Sequence, residues 1–385
     1  MDLGLISNLM LGFDTALSFQ NILYCTIGVT IGTLIGVLPG MGPVATVAML
    51  LPATYALPPT SALIMLAGIY YGASYGGSTT AILVNKPGEA SAVVTCLDGH
   101  MMAKRGRAGS ALGIAALGSF FAGCVATLLI AAFAPPLTEL AFQFGPAEYF
   151  SLMVLGLVSA TVLATGSLLK AICMVLLGLL LGLIGTDVNS GAFRFTFGLD
   201  ELQDGIDFVP LSMGLFGFAE IMRNLEGNMS RSLVPNKVKN ILPSWQEIKV
   251  SVGPIVRGTA LGSILGVLPG GGALLSSFAS YTAEKKLAGD KADPPFGYGN
   301  IRGVAGPESA NNAGAQTSFV PMLTLGIPSN AVMALMIGAM MIHDIVPGPQ
   351  VMQSDPGLFW GLIISMWIGN LILVVLNLPM IGVWG

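Results

Sequence analysis

The sequence predicts an all-α polytopic membrane protein with two inverted-topology repeats, re-entrant or discontinuous helices, and about ten or more membrane segments. Three observations carry that prediction. Of 385 residues, 54% are hydrophobic and 9% charged, with a mean hydropathy of +0.79. A soluble domain covers its surface with about 25% charged residues. Apolar runs recur at 17–38, 109–134, 147–165, 167–184 and 358–378, each close to the ~20 residues that cross a bilayer. Finally, GTLIGVLPGMG at 32–42 returns as GSILGVLPGGG at 262–272.

Taken in order, the chain divides into a first repeat (1–135), connecting transmembrane helices (136–222), a basic loop (223–249) and a second repeat (250–385). Basic residues favour the cytoplasmic side. The segments 100–108, 223–249 and 284–302 hold most of them and are predicted to lie inside. The segment 186–207, with Asp187, Asp200, Glu201, Asp204 and Asp207 against one arginine, is predicted to lie outside. Runs 109–134, 147–165, 167–184 and 208–222 then alternate across the membrane. With Lys170 and Arg257 counted at inner ends, 14 of the 16 Lys and Arg fall inside, leaving Lys86 and Arg194.

Residues 28–42 and 258–272 agree at eight of fifteen positions, including Gly28, Gly32, Gly36 and Gly40 against Gly258, Gly262, Gly266 and Gly270. Glycine at every fourth residue bares one helix face for close approach of another backbone. The likeness continues where Pro87-Gly88-Glu89-Ala90 meets Pro328-Ser329-Asn330-Ala331. Equivalent ends carry opposite charge bias: Gly99-x-Met101-Met102 leads to Lys104 and Arg105, whereas Gly338-x-Met340-Met341 leads to His343 and Asp344. That bias predicts inversion. Pro39 and Pro269 break the apolar pattern, so helices 21–38 and 251–268 are expected to end there and short helices near 43–57 and 272–283 to turn back. Irregular backbone at that depth needs protein or an aqueous cavity to satisfy it.

Beyond each break lies a polar stretch, and these stretches supply the candidate site. The breaks themselves offer Pro39, Gly40 and Gly42, and in the second half Gly270 and Gly272. The first stretch adds Ser78, Thr79, Thr80, Asn85 and Lys86. The second adds Asn311, Asn312, Gln316 and Thr317, followed by Pro328, Ser329 and Asn330. Hydroxyls, amides and helix N-termini suit an anionic substrate. Glu89, Asn85, Thr324 and Glu308 are candidates for a coupling cation, sodium or proton, because ionisable groups at depth are costly. Lys86 and Glu89, three residues apart across a Pro-Gly turn, are expected to pair. Helix packing by small polar residues is the plainer reading of any one of these positions.

Other chemistry is not indicated. The four cysteines have no CxxC spacing and there are two histidines, so no structural metal site or disulfide framework is expected. The sequence has no phosphate-binding loop, no hydrolase elbow and no nucleic-acid-binding helix, and no enzymatic activity or organic cofactor is expected. The alternatives are an ion or solute channel and, further off, an intramembrane transferase using Glu89 and Glu308.

GTLIGVLPGMGP, YGGSTTAILVNKPGEA and GPESANNAGAQTSFVPMLTLGIPSN together resemble the large membrane subunit of the tripartite tricarboxylate transporters, the TctA family. The resemblance spans about 20–375. It implies ion-gradient-driven uptake of small carboxylates, of the di- or tricarboxylate class, across the bacterial inner membrane. It also implies two partners, a small four-helix membrane subunit (TctB-like) and a periplasmic solute-binding protein (TctC-like). Members of that family are longer and carry an uncharged residue at the place of Lys86, so further C-terminal helices are expected beyond residue 385.

Overall fold

The computed structural model describes residues 4–38, 42–163, 167–187, 190–206, 210–211, 213–219, 222, 226, 242–268, 270, 272–289 and 292–384. The predicted tip residues Pro39, Gly40, Pro269 and Gly271, and most of the 223–249 loop, lie outside them. Apart from one two-residue strand pair, Gly185–Thr186 with Phe193–Arg194, the regular structure among the described residues is helical.

The first half opens with α1 (Leu5–Ala16) and α2 (Phe19–Gly36). α3 (Pro43–Leu50) runs into a tight turn at Leu51–Ala56, and α4 spans Pro59–Val84. Short turns at 90–104 lead to α5 (Ala108–Ala141), α6 (Pro146–Leu163) and α7 (Leu168–Gly182). The second half holds α8 (Trp245–Val267), α9 (Gly272–Ala288), α10 (Arg302–Thr317), α11 (Phe319–Leu325), α12 (Ala331–Ile342) and α13 (Pro356–Trp384). The breaks therefore fall where the sequence puts them. α2 stops at Gly36 and α8 at Val267, and new helices begin at Pro43 and Gly272. α9 runs five residues past its expected end at 283, into Lys285 and Lys286.

Among the described residues, four helices are long and apolar enough to cross a membrane: Phe19–Gly36, Ala108–Ala141, Trp245–Val267 and Pro356–Asn377. Shorter apolar helices stand at Pro43–Ala56, Pro146–Val158, Leu168–Gly182 and Ala331–Ile342. Exposed Leu, Met and Phe crowd α6 and α7, Phe150 and Leu169 each at 71%; such faces suit lipid.

The two glycine ladders do the same work in both halves. A Cβ on Gly28, Gly32 or Gly36 would strike the carbonyl oxygens of Met65, Ile69 and Ala73 on α4. One on Gly258, Gly262 or Gly266 would strike those of Gly306, Ala310 and Gly314 on α10. All six contacts fall inside the 3.0 Å that real Cβ atoms essentially never cross. α2 and α8 thus lie directly on the backbones of α4 and α10, a contact only hydrogen side chains permit.

α4 and α10 form the interior. Residues 61–82 of α4 and 303–317 of α10 are buried without interruption. Their mutual contacts run in opposite chain directions: Tyr71 packs on Phe319, just past α10, whereas Ser78 meets Glu308 near its start. At one end of the molecule the predicted inner segments converge. Arg107 pairs with Glu247 at 2.7 Å, and both line a cavity of about 580 Å³ together with Arg302. Nearby, the buried Asp98 carboxylate accepts from the amides of Gly297, Gly299 and Asn300 at 2.7–2.9 Å and from the Tyr281 hydroxyl at 2.9 Å. That carboxylate ties the 90–104 turns to the 292–301 segment.

Candidate functional site

Three helices start around one cavity of about 590 Å³. Gly42 caps α3 and Pro43 begins it; Gly272 begins α9; Asn330 caps α12. All four residues line the cavity, with Gly270, Pro328 and Ser329 between them. The first turns of helices leave backbone amides without intrahelical partners and carry a positive partial charge. Glycine at 272 is favoured by its backbone, φ +45°, whereas a Cβ at 42 would meet only the Gly88 carbonyl oxygen at an ordinary 3.7 Å. The Gly270 amide donates to the Ser329 carbonyl at 2.7 Å, binding the second tip to the polar stretch that follows it.

Glu89 and Asn330, which occupy matching places in the two repeats, both face this cavity. The Asn330 side chain accepts from the Met333 amide at 3.0 Å and lies 3.5 Å from the Tyr70 hydroxyl. Glu89 receives Ser91 at 2.6 Å and Asn311 at 3.0 Å on one oxygen, and Ser74 at 3.4 Å on the other. It forms no ion pair with Lys86 among the described residues. Asn85 ends α4 in the left-handed conformation, φ 56°, and the Lys86 amide turns back to the Thr80 carbonyl at 3.4 Å. The expected Lys86–Glu89 pair gives way to neutral donors, one of them from the other half of the chain.

A second, small cavity of about 20 Å³ lies beside Glu308, which is 1% exposed. Ser78 donates to one Glu308 oxygen at 2.5 Å and Thr95 donates to the other. Thr79 lines the same space. The remaining candidates lie off both cavities. Asn312 donates to Ser119 at 2.6 Å, and Gln316 accepts from Thr127 at 2.8 Å, joining α10 to α5. Thr317 bonds to Ala313 and packs against Gly266. Thr80 and Thr324 bond within their own helices. Asn85 is exposed and Lys86 half-buried, away from both linings.

Sequence reasoning missed Ser91, Thr95 and Ser119. A lone hydroxyl in an apolar stretch reads as helix packing; the one available signal for Ser91 was its adjacency to Glu89. Among the described residues there is no group of three or more His, Cys, Asp or Glu that could hold a metal ion.

The match to a family model settles the family. The model of the tripartite tricarboxylate transporter TctA family matches residues 22–385. The chain belongs to that family. It is a membrane protein and a component of a tripartite transporter. Within Agrobacterium vitis, an uncharacterized 52.8 kDa protein in the TAR-I ttuC' 3' region is 60% identical over 382 residues, which is 99% of this chain and 76% of that protein. An uncharacterized protein in the TAR-II ttuC' 3' region of the same organism is 66% identical over 123 residues, 32% of this chain and 50% of its own length. No solved structure matches.

Proposed function

We propose that this TctA protein is the membrane subunit that carries out secondary active uptake of small carboxylates, of the di- or tricarboxylate class, across the bacterial inner membrane. The observation that carries the reading is the 590 Å³ cavity, where three helix N-termini from both halves meet. Its size falls in the range of about 300–1,000 Å³ common for small-molecule sites. Free amides at helix starts favour carboxylate groups. The antiparallel contacts of α4 with α10 and α11, and the matching glycine ladders, support an inverted arrangement of repeats 1–135 and 250–385, which suits alternating access about a midplane site.

Glu89 and Glu308 have no cationic side chain beside them among the described residues. A carboxylate substrate entering next to Glu89 adds negative charge to negative charge, so a sodium ion or a proton must enter with it; coupling to an ion gradient follows from that need. The reading includes capture of substrate by a TctC-like periplasmic binding protein and a TctB-like membrane partner, as the tripartite organisation implies. The test is uptake in proteoliposomes by the full chain with its two partners, across a panel of mono-, di- and tricarboxylates, under imposed sodium or proton gradients. Accumulation against a gradient, abolished by Gly270→Val at the second tip, is the expected result. Passive, gradient-independent flux would identify a channel instead.

A further inference from the structure

We propose that the small cavity beside Glu308 is the seat of a single dehydrated sodium ion, separate from the substrate cavity; this rests on the transporter reading for its role, but not for its chemistry. The cavity is about 20 Å³, enough for one water-sized guest. Its polar lining consists of Tyr75, Ser78, Thr79, Ser119, Glu308 and Asn377. All of these offer oxygen, and none is an imidazole, an amine or a thiol, the donor set of a hard cation.

The hydrogen-bond directions select a cation over an anion. Thr79 donates to the Tyr75 carbonyl at 3.3 Å, and Tyr75 donates to the Ala116 carbonyl at 3.5 Å. The Asn377 amide donates to the Leu373 carbonyl at 2.9 Å, while Ser119 already accepts from Asn312 at 2.6 Å. Tyr75 and Thr79 commit their single hydrogens to those carbonyls and keep only lone pairs for a guest, while Ser119 keeps a lone pair with a rotatable hydrogen and Asn377 keeps its amide oxygen. Ser78 and Thr95 both donate into Glu308, which suits an ionised carboxylate. A buried ionised carboxylate without a counter-charge costs several kcal/mol, and the neighbouring cavity has room for the ion that supplies one. The site joins the halves: Tyr75, Ser78 and Thr79 come from α4, Ser119 from α5, and Glu308 from α10. Relative movement of those helices would open it.

The test is equilibrium binding of ²²Na⁺ to the purified full-length protein in nanodiscs, without substrate. The expected result is saturable binding of one ion per chain. Glu308→Gln should weaken it by roughly a hundredfold or more, and Ser119→Ala and Thr79→Val by roughly tenfold each, since about 1.4 kcal/mol is a factor of ten. Lys86→Met should bind as the parent does. If Glu308→Gln does not fold, the two conservative variants decide. Unchanged sodium affinity in Ser119→Ala and Thr79→Val, or in a folded Glu308→Gln, overturns the assignment. So does an absence of saturable sodium binding in the parent. Because substrate is absent, failure here leaves carboxylate uptake standing; sodium bound at Glu308 without any carboxylate uptake would instead remove the transport reading.

Discussion

Gly262→Ala adds one methyl group where α8 lies on α10. The new Cβ would stand 2.8 Å from the Ala310 Cα and 2.9 Å from its carbonyl carbon, with the carbonyl oxygen nearer still. Ordinary contact begins at 3.4 Å, so 3.4 − 2.8 leaves a shortfall of 0.6 Å against the Cα alone. All three atoms are backbone, so no rotamer change relieves the clash. The helices must part, and overpacking of this kind costs about 1–3 kcal/mol. Gly32→Ala in α2 meets the Ile69 backbone at the same 2.8 Å and should cost a similar amount. Gly178→Ala supplies the control, because nothing lies within 4 Å of its Cβ, and alanine is favoured over glycine in a helix by about 1 kcal/mol. The assay is thermal unfolding of the detergent-solubilised protein followed by size-exclusion chromatography. Gly32→Ala and Gly262→Ala should melt several degrees lower, by similar amounts, and Gly178→Ala should melt at or above the parent temperature. Equal melting of all three variants would refute the close-packed ladders and with them the equivalence of the two helix pairs.

Asn311→Leu removes the one bond that the second half makes to Glu89 among the described residues, at 3.0 Å. A hydrogen bond to a charged group is worth about 1.5–3 kcal/mol, so the half-saturation constant for uptake should rise about ten- to a hundredfold, measured in proteoliposomes; an unchanged value would detach Asn311 from the site. Lys86→Met should leave uptake kinetics within twofold of the parent, about 0.4 kcal/mol by the same conversion, because Lys86 lines neither cavity; a large rise in half-saturation would restore it as a substrate contact.

The breaks and ladders were legible because each is a local pattern with one physical meaning. Glycine at every fourth residue bares a single helix face, and Pro after an apolar run ends a helix; the ends of α2 and α8 and the starts of α3 and α9 fall within two residues of those marks, whereas α3 stops seven residues before its expected end near 57, α8 begins six residues before 251 and α9 runs five residues past 283. The partners of Glu89 and Glu308 were not legible, because they are set by tertiary packing. Lys86 looked like the partner of Glu89 from three residues away. The turn at Asn85 takes that lysine elsewhere, and Glu89 finds Asn311, 222 residues on. Ser78 and Glu308 are 230 residues apart, and nothing in either local sequence names the other.

Hydropathy also ranks the helices by what they face rather than by depth. The four helices that pass as membrane spans are apolar along their length, and α2 and α8, at 39% buried, keep much of their surface for lipid. α4 and α10 do not pass, although they are the most completely enclosed. A helix walled in by protein needs no apolar surface, but every polar group on it must find a partner. α4 reaches α10 across the boundary between the halves through Ser78 with Glu308, and the turn after α4 reaches it through Glu89 with Asn311, while the Tyr71 hydroxyl and the Asn311 Oδ1 have no protein partner among the described residues. Sliding one half against the other therefore breaks those bonds first. A solute or an ion that replaces them stabilises the displaced arrangement by its own contacts, and one without such contacts cannot move the halves at all.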